Sequence, residues 1–135
     1  MELRKFRPGD KDQVIKLWRE VFNDDSPHNE PESVIKAKLK VDDLIFVAVL
    51  DSEIVGACMA GYDGHRGWLY AVAVSIKTRR SGIGTKLIKL TLKSLKELGC
   101  IKVNLQIRST NKAVADFYKS LGFDIEDRLS MGVLL

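Results

Sequence analysis

A run of basic residues and two glycines, Arg79-Arg80-Ser81-Gly82-Ile83-Gly84, lies where an apolar β-branched run gives way to a helical pattern. A strand that passes into a helix through such a turn places backbone N–H groups at the helix start. There the unpaired donors and the helix dipole favour an anion, a phosphate above all. The spacing R-x-x-G-x-G is neither the G-x-x-x-x-G-K-[ST] nor the G-x-G-x-x-G phosphate pattern. Gly82 and Gly84 allow a close backbone approach without Cβ clashes, and Lys77, Arg79 and Arg80 add long-range attraction. Upstream, Asp63 and His65 in Tyr62-Asp63-Gly64-His65-Arg66-Gly67 are groups able to take or relay a proton, and Tyr70 follows on the next strand. Histidine has the right ordinary pKa for that work, although a turn-stabilising role fits these loop residues equally well. Cys58 and Cys100 have no metal-type spacing and no evident neighbouring base. They read as buried thiols rather than as metal ligands, a disulfide or an acyl-carrying nucleophile.

These groups must be positioned by a chain of 135 residues that is 45% hydrophobic and 30% charged. That composition fits one folded domain over residues 1–135 and argues against disorder. Residues 1–5 alternate polar and apolar without an export-type apolar core, and no apolar run reaches the roughly 18 residues of a membrane helix. The expectation is a cytoplasmic protein with no membrane partner. The net charge of +4 draws anions without choosing among them. Lys86, Lys89, Lys93 and Lys96 recur at helical spacing and read as one solvated face. Base-reading aromatic residues do not accompany them, so no nucleic-acid partner is expected.

Hydrophobic periodicity predicts the elements. Residues 3–6 form a short strand before the turn Arg7-Pro8-Gly9. A helix runs from Asp10 or Asp12 to Asn23, with Val14, Trp18, Val21 and Phe22 inward. A second helix covers 32–40, with Val34, Ile35 and Leu39 inward. Three strands follow at 44–50, 54–61 and 68–74. A long helix from Gly82 to about Leu98 carries Ile83, Leu87, Leu90, Leu95 and Leu98 on its apolar face. The strict alternation of 101–107 predicts a strand with one face buried. A helix from Asn111 to Leu121, with Ala113, Val114, Phe117 and Leu121 inward, is followed by one or two strands over 123–134. A crossover joins Val74 to Ile101, so that pair is expected to be parallel in a mostly antiparallel sheet.

Element order, the R-x-x-G-x-G loop and the later segment Asn111-Lys112-Ala113-Val114-Ala115-Asp116-Phe117-Tyr118-Lys119-Ser120-Leu121-Gly122-Phe123 together resemble the GNAT superfamily of N-acetyltransferases. The likeness covers essentially the whole chain. Gly61-Tyr62-Asp63-Gly64-His65-Arg66-Gly67-Trp68 and Ser130-Met131-Gly132 resemble the small bacterial YpeA-type branch. The fold the resemblance implies is α/β (α+β). It is a mixed, mostly antiparallel sheet of six to seven strands with four helices, whose parallel fourth and fifth strands splay at the cofactor cleft.

The resemblance further implies acetyl-CoA as donor and a primary amine as acceptor, with direct attack in a ternary complex and no metal. Residues Arg79, Arg80, Ser81, Gly82, Ile83, Gly84 and Thr85 would hold the pyrophosphate. Backbone near Val72 and Val74 would pair with the pantetheine arm, which Asn111 would also bond while capping its helix. Tyr118, read as one residue off the apolar stripe and facing the cleft, would be the general acid toward the leaving thiolate. Many relatives place a glutamate on the strand before the loop, whereas Trp68-Leu69-Tyr70-Ala71-Val72-Ala73-Val74 carries no carboxylate. The base is therefore open between Asp63 and His65, acting directly or by positioning a water. The missing carboxylate also keeps open a non-catalytic acyl-CoA sensor as an alternative. A homodimer is the family-level expectation.

Overall fold

β-branched and aliphatic residues at alternate positions build a five-stranded sheet in the order β1-β2-β3-β4-β5. Its strands are β1 (Glu2–Lys5), β2 (Ile45–Leu50), β3 (Glu53–Tyr62), β4 (Gly67–Val74) and β5 (Val103–Asn104). The first four pair antiparallel and β4 pairs β5 in parallel, as the crossover requires. The computed structural model describes all 135 residues and divides them into two compact units, Met1–Leu105 and Gln106–Leu135.

In the first unit, α1 (Lys11–Val21) and α2 (Pro31–Leu39) cover one face of the sheet. Val14, Leu17, Trp18 and Ile35 pack there on Ile45, Val47, Ala57 and Ala73. The other face takes α3 (Ile83–Glu97), whose Ile83 joins Ala48 and Val55. Leu87, Ile88, Thr91 and Leu95 complete the buried stripe of α3. The entry to α1 is clamped to β1. Both oxygens of Asp10 accept from the Arg4 guanidinium at 2.6 and 3.0 Å, and one also accepts from Arg7 N–H at 2.7 Å. These bonds, Arg4's first among them, hold the Asp10 carboxyl below its ordinary pKa. The second unit holds α4 (Lys112–Ser120).

Several expectations are corrected. The sheet has five strands, not six or seven, and residues 123–134 form no ladder. Arg128 N–H donates to the Glu126 carbonyl, a three-residue turn that breaks the extended run. Alternation alone does not make a strand without a partner. β5 shrinks from seven residues to two, leaving Ile101 96% exposed. Phe22, Leu39 and Leu98 were placed inward, yet all are exposed. Phe22 falls just past the end of α1 in extended conformation, Leu39 is the last residue of α2, and Leu98 follows the last residue of α3. Helical periodicity no longer aims a side chain once the helix stops. In α4 Tyr118 is the buried residue, with Val114, Phe117 and Leu121 half-buried around it, while Ala113 is exposed. Tyr118 therefore sits on the stripe rather than beside it.

Candidate acyl-donor site

β4 changes character at its middle. Met59 of β3 faces Tyr70, but Ala57 faces Ala73, so Ala71 and Val72 together oppose Cys58 alone. This is a β-bulge, and Ala71 adopts φ +48° to make it. The extra residue inverts the side-chain alternation. Before it, Gly67 faces Leu95 and Cys100 on the α3 side; after it, Ala71 and Ala73 pack into the α1/α2 core. A non-glycine residue held at positive φ carries strain of about 1–2 kcal/mol, a feature that clusters at functional sites.

The β4–β5 ladder is as short as the bulge is sharp. Only Gly67 and Trp68 are paired, with Val103 and Asn104. A Cβ on Gly67 would lie 2.7 Å from Cys100 Sγ, so glycine is what lets the strands meet there. From Leu69 to Val74, including Val72, the strand's β5 side has no ladder partner. Its backbone donors and acceptors are available to an extended ligand. The Val74 carbonyl accepts from Arg79 Nε at 3.3 Å.

Beyond β4 the chain is held by its own backbone. Ser75 N–H donates to Val55 O at 2.8 Å, Thr78 N–H donates to Ser75 O at 3.0 Å, and Ser81 Oγ donates to Thr78 O. Arg80 and Gly82 take φ +68° and +80°. A Cβ on Gly82 would meet nothing within 4 Å. Glycine is needed there for its backbone conformation, not for space. Gly82 occupies the cap position of α3 and supplies no capping side chain. The first-turn N–H groups at Ile83, Gly84 and Thr85 precede the first full helical bond, from Lys86 N–H to Gly82 O at 3.1 Å. Left-handed residues beside an uncapped helix start form an anion-binding concavity. Lys77, Arg79 and Arg80 are exposed around it. Two surface hollows of about 470 and 370 Å³ are lined by α1 and α2 residues such as Ile15, Arg19 and Leu39, and by none of this loop.

The base candidates are placed as follows. Asp63 Oδ1 accepts from the N–H groups of both His65 and Arg66 at 2.8 Å, which shapes the β3–β4 turn. Those bonds hold the Asp63 carboxyl below its ordinary pKa, making it a weak base and a persistent anion. His65 is exposed in the same turn. The Tyr70 phenol is pushed up, first by burial and then by the charge of Asp63, so it stays protonated. Two carboxylates of the α1–α2 segment are engaged too. Asp24 accepts from Ser26 N–H and Asn29 Nδ2, and Glu30 caps α2. Burial pushes the Cys58 thiol up to about 12, which removes it as a nucleophile at neutral pH.

In the second unit, Asn111 Oδ1 caps α4 by accepting from Val114 N–H at 3.3 Å. Tyr118 is 7% exposed, and its ring meets Phe117 and Phe123 edge-on at 5.1 and 5.5 Å. Sequence reasoning missed the strained Ala71 and the stacking of Trp68 on Tyr70, whose ring centroids lie 6.4 Å apart. The W-x-Y alternation was a readable signal for the stack. Nothing in an alanine announces positive φ.

Comparison with known proteins places the fold in a family. Residues 11–123 match the Acetyltransferase (GNAT) family. The chain belongs to the GNAT acetyltransferase family. An acetyltransferase of Sodalis glossinidius is 43% identical over 128 residues, which is 94% of this chain and 89% of its own. One from Pectobacterium atrosepticum is 42% identical over 133 residues, covering 98% and 94%. The fold superposes on AAC(6')-Iy, solved in complex with the bisubstrate analog CoA-S-monomethyl-acetylneamine, with a TM-score of 0.82. That likeness holds at 16% identity over 99% of this chain and 97% of that one. The chain is an N-acetyltransferase of a family that uses acetyl-CoA as donor. The bare α3 start and the unpaired β4 edge fit that donor, the first by its anion-seeking donors and the second by its free backbone groups. No helix is long and apolar enough to cross a membrane.

Proposed function

We propose that the protein transfers the acetyl group of acetyl-CoA to a primary amine by direct attack, with both substrates bound. The amine is that of a small molecule, a lysine side chain or a protein N-terminus. The observation that carries the reading is the uncapped α3 start, reached through left-handed Arg80 and Gly82 beside the unpaired half of β4. The first-turn N–H groups of Ile83, Gly84 and Thr85 and the loop from Arg79 to Ser81 hold the pyrophosphate. Backbone at Val72 and Val74 holds the pantetheine arm, Val74 once Arg79 releases its carbonyl. Asn111 adds a bond to that arm beyond its capping role.

The amine nitrogen forms its bond to the acetyl carbon as the C–S bond breaks. His65 takes the ammonium proton, directly or through a water, and Tyr118 supplies a proton to the departing thiolate. The buried, high-pKa Cys58 supports direct transfer over an acyl-cysteine route. Two free buried cysteines also suit a reducing cytoplasm.

Calorimetric titration with acetyl-CoA, with ATP as polyphosphate control, tests the donor site. Binding of acetyl-CoA alone supports the reading, and no binding at low salt removes it. Tyr118→Phe separates enzyme from sensor. Unchanged acetyl-CoA affinity with kcat lowered about 100-fold is expected, whereas equal turnover takes Tyr118 out of the mechanism. The sensor reading draws on the carboxylate-free β4 and predicts no turnover with any amine.

A further inference from the structure

The paired end of β4 carries a surface that the donor site does not use. Trp68 and Tyr70, two residues apart on one face, stack at 6.4 Å with planes 24° apart, and Tyr70 is 45% exposed. The β3 residue paired with Trp68 is Gly61. A Cβ there would stand 3.6 Å from Tyr70 Cε2, so glycine leaves that flank of the ring uncovered, while Met59, the direct β3 partner of Tyr70, packs partly buried against the α1/α2 core. Beside it stands Asp63, whose Oδ1 is spent on the two turn N–H groups while Oδ2 receives no protein donor. Its charge reaches the Tyr70 phenol.

The lysine and arginine nearby do not neutralise it, and His65 of the same turn is the one neighbouring group whose charge acts on it. Lys38 Nζ lies 3.8 Å from the Cβ position at Gly61, but it is bound to both oxygens of Asp42 at 2.8 and 2.9 Å. Arg66 donates Nη1 to the His65 carbonyl and forms no ion pair with Asp63. An exposed aromatic face next to a carboxylate with one free oxygen is the chemistry that holds an alkylammonium.

We infer that the acceptor is an amine bearing a second cationic centre, which Asp63 Oδ2 and the Tyr70–Trp68 face hold while the first nitrogen is acetylated. The inference rests on the acetyltransfer reading above. It makes Asp63 a specificity residue rather than the base, and excludes carboxylate-bearing amines as preferred acceptors.

The test measures initial rates at low ionic strength with acetyl-CoA and three four-carbon probes: 1,4-diaminobutane, butylamine and 4-aminobutanoate. The diamine is expected to exceed butylamine about tenfold in kcat/KM, with 4-aminobutanoate lowest. Asp63→Asn retains Oδ1 for the turn and should abolish the diamine advantage through KM, leaving kcat and its pH profile unchanged. Tyr70→Ala should reduce the advantage and Tyr70→Phe should keep it. A diamine no better than butylamine, or an advantage that survives Asp63→Asn, overturns the inference. So does a fall in kcat with a shifted pH profile in that variant, which would make Asp63 the base. Should no probe be acetylated, tryptophan fluorescence of the acetyl-CoA-bound protein must show tighter binding of diamine than butylamine, and its absence overturns the inference as well. Failure to bind acetyl-CoA in the calorimeter would instead defeat the underlying acetyltransfer reading.

Discussion

Two helices of the first unit begin in opposite ways. At the start of α2, Glu30 accepts from Glu32 N–H at 3.2 Å and Ser33 N–H at 2.8 Å, and Arg19 bonds the same carboxylate at 2.9 Å. At the start of α3, Gly82 offers no side chain and the loop before it turns left-handed at Arg80. The first helix satisfies its own dipole with an internal anion, while the second leaves the same donors for an anion from outside. α4 follows the first pattern, with Asn111 as its cap. The difference teaches that the proposed anion site of this chain is marked by what the sequence withholds at a helix start.

The largest expected effect comes from giving α3 the cap it lacks. Gly82→Asp places a carboxylate and a Cβ at φ +80°, and acetyl-CoA affinity in calorimetry should fall about 100-fold, close to 2.7 kcal/mol. Undiminished affinity would break the comparison. Removing a cap elsewhere should do the reverse. Asn111→Ala should lower unfolding free energy by about 1 kcal/mol in urea titration, whereas Asn111→Asp keeps the cap. Loss of acetyl-CoA affinity in both variants would sharpen the picture by showing that the amide also binds the donor.

Ala71→Gly relieves the bulge and should raise stability by at most about 1 kcal/mol. Loss of stability instead would show that the φ +48° residue is not strained. The smallest effect belongs to Glu30, whose carboxyl is held at about 2, first by the Ser33 N–H. A depressed pKa means that its contribution is complete above the ordinary glutamate range and is lost as pH falls toward 2. A melting temperature that drops less steeply in acid for Glu30→Gln than for the parent is the expected sign.

Much of this was legible beforehand, and the limits are physical. The helix order, the parallel crossover and the glycine loop rest on local periodicity and turn chemistry, which a sequence carries directly. Residues 123–134 read as strand because Phe123, Ile125, Leu129, Met131 and Val133 alternate, but pairing is a long-range property and the turn at residues 126–128 ends the run. Phe22 and Leu98 read as core because apolar type was taken for burial at positions where the helix had already ended. Asp63 and His65 read as alternatives for the base or for a turn, and the sequence shows the carboxylate but not the two N–H groups that commit one of its oxygens. The distortion of β4 was expected only from the family resemblance, as a splay from β5. Its strained residue, Ala71, was not, since alanine prefers negative φ and gives no local warning.

The sealed thiol of Cys58 has a use that its inertness suggests. It lies on β3 with no exposure, within hydrogen-bond reach of Thr91 on α3. A thiol reagent can reach it only when the helix lifts from the sheet. Its labelling rate therefore times that opening, and a ligand held at the first turn of α3 should slow the clock in proportion to its occupancy.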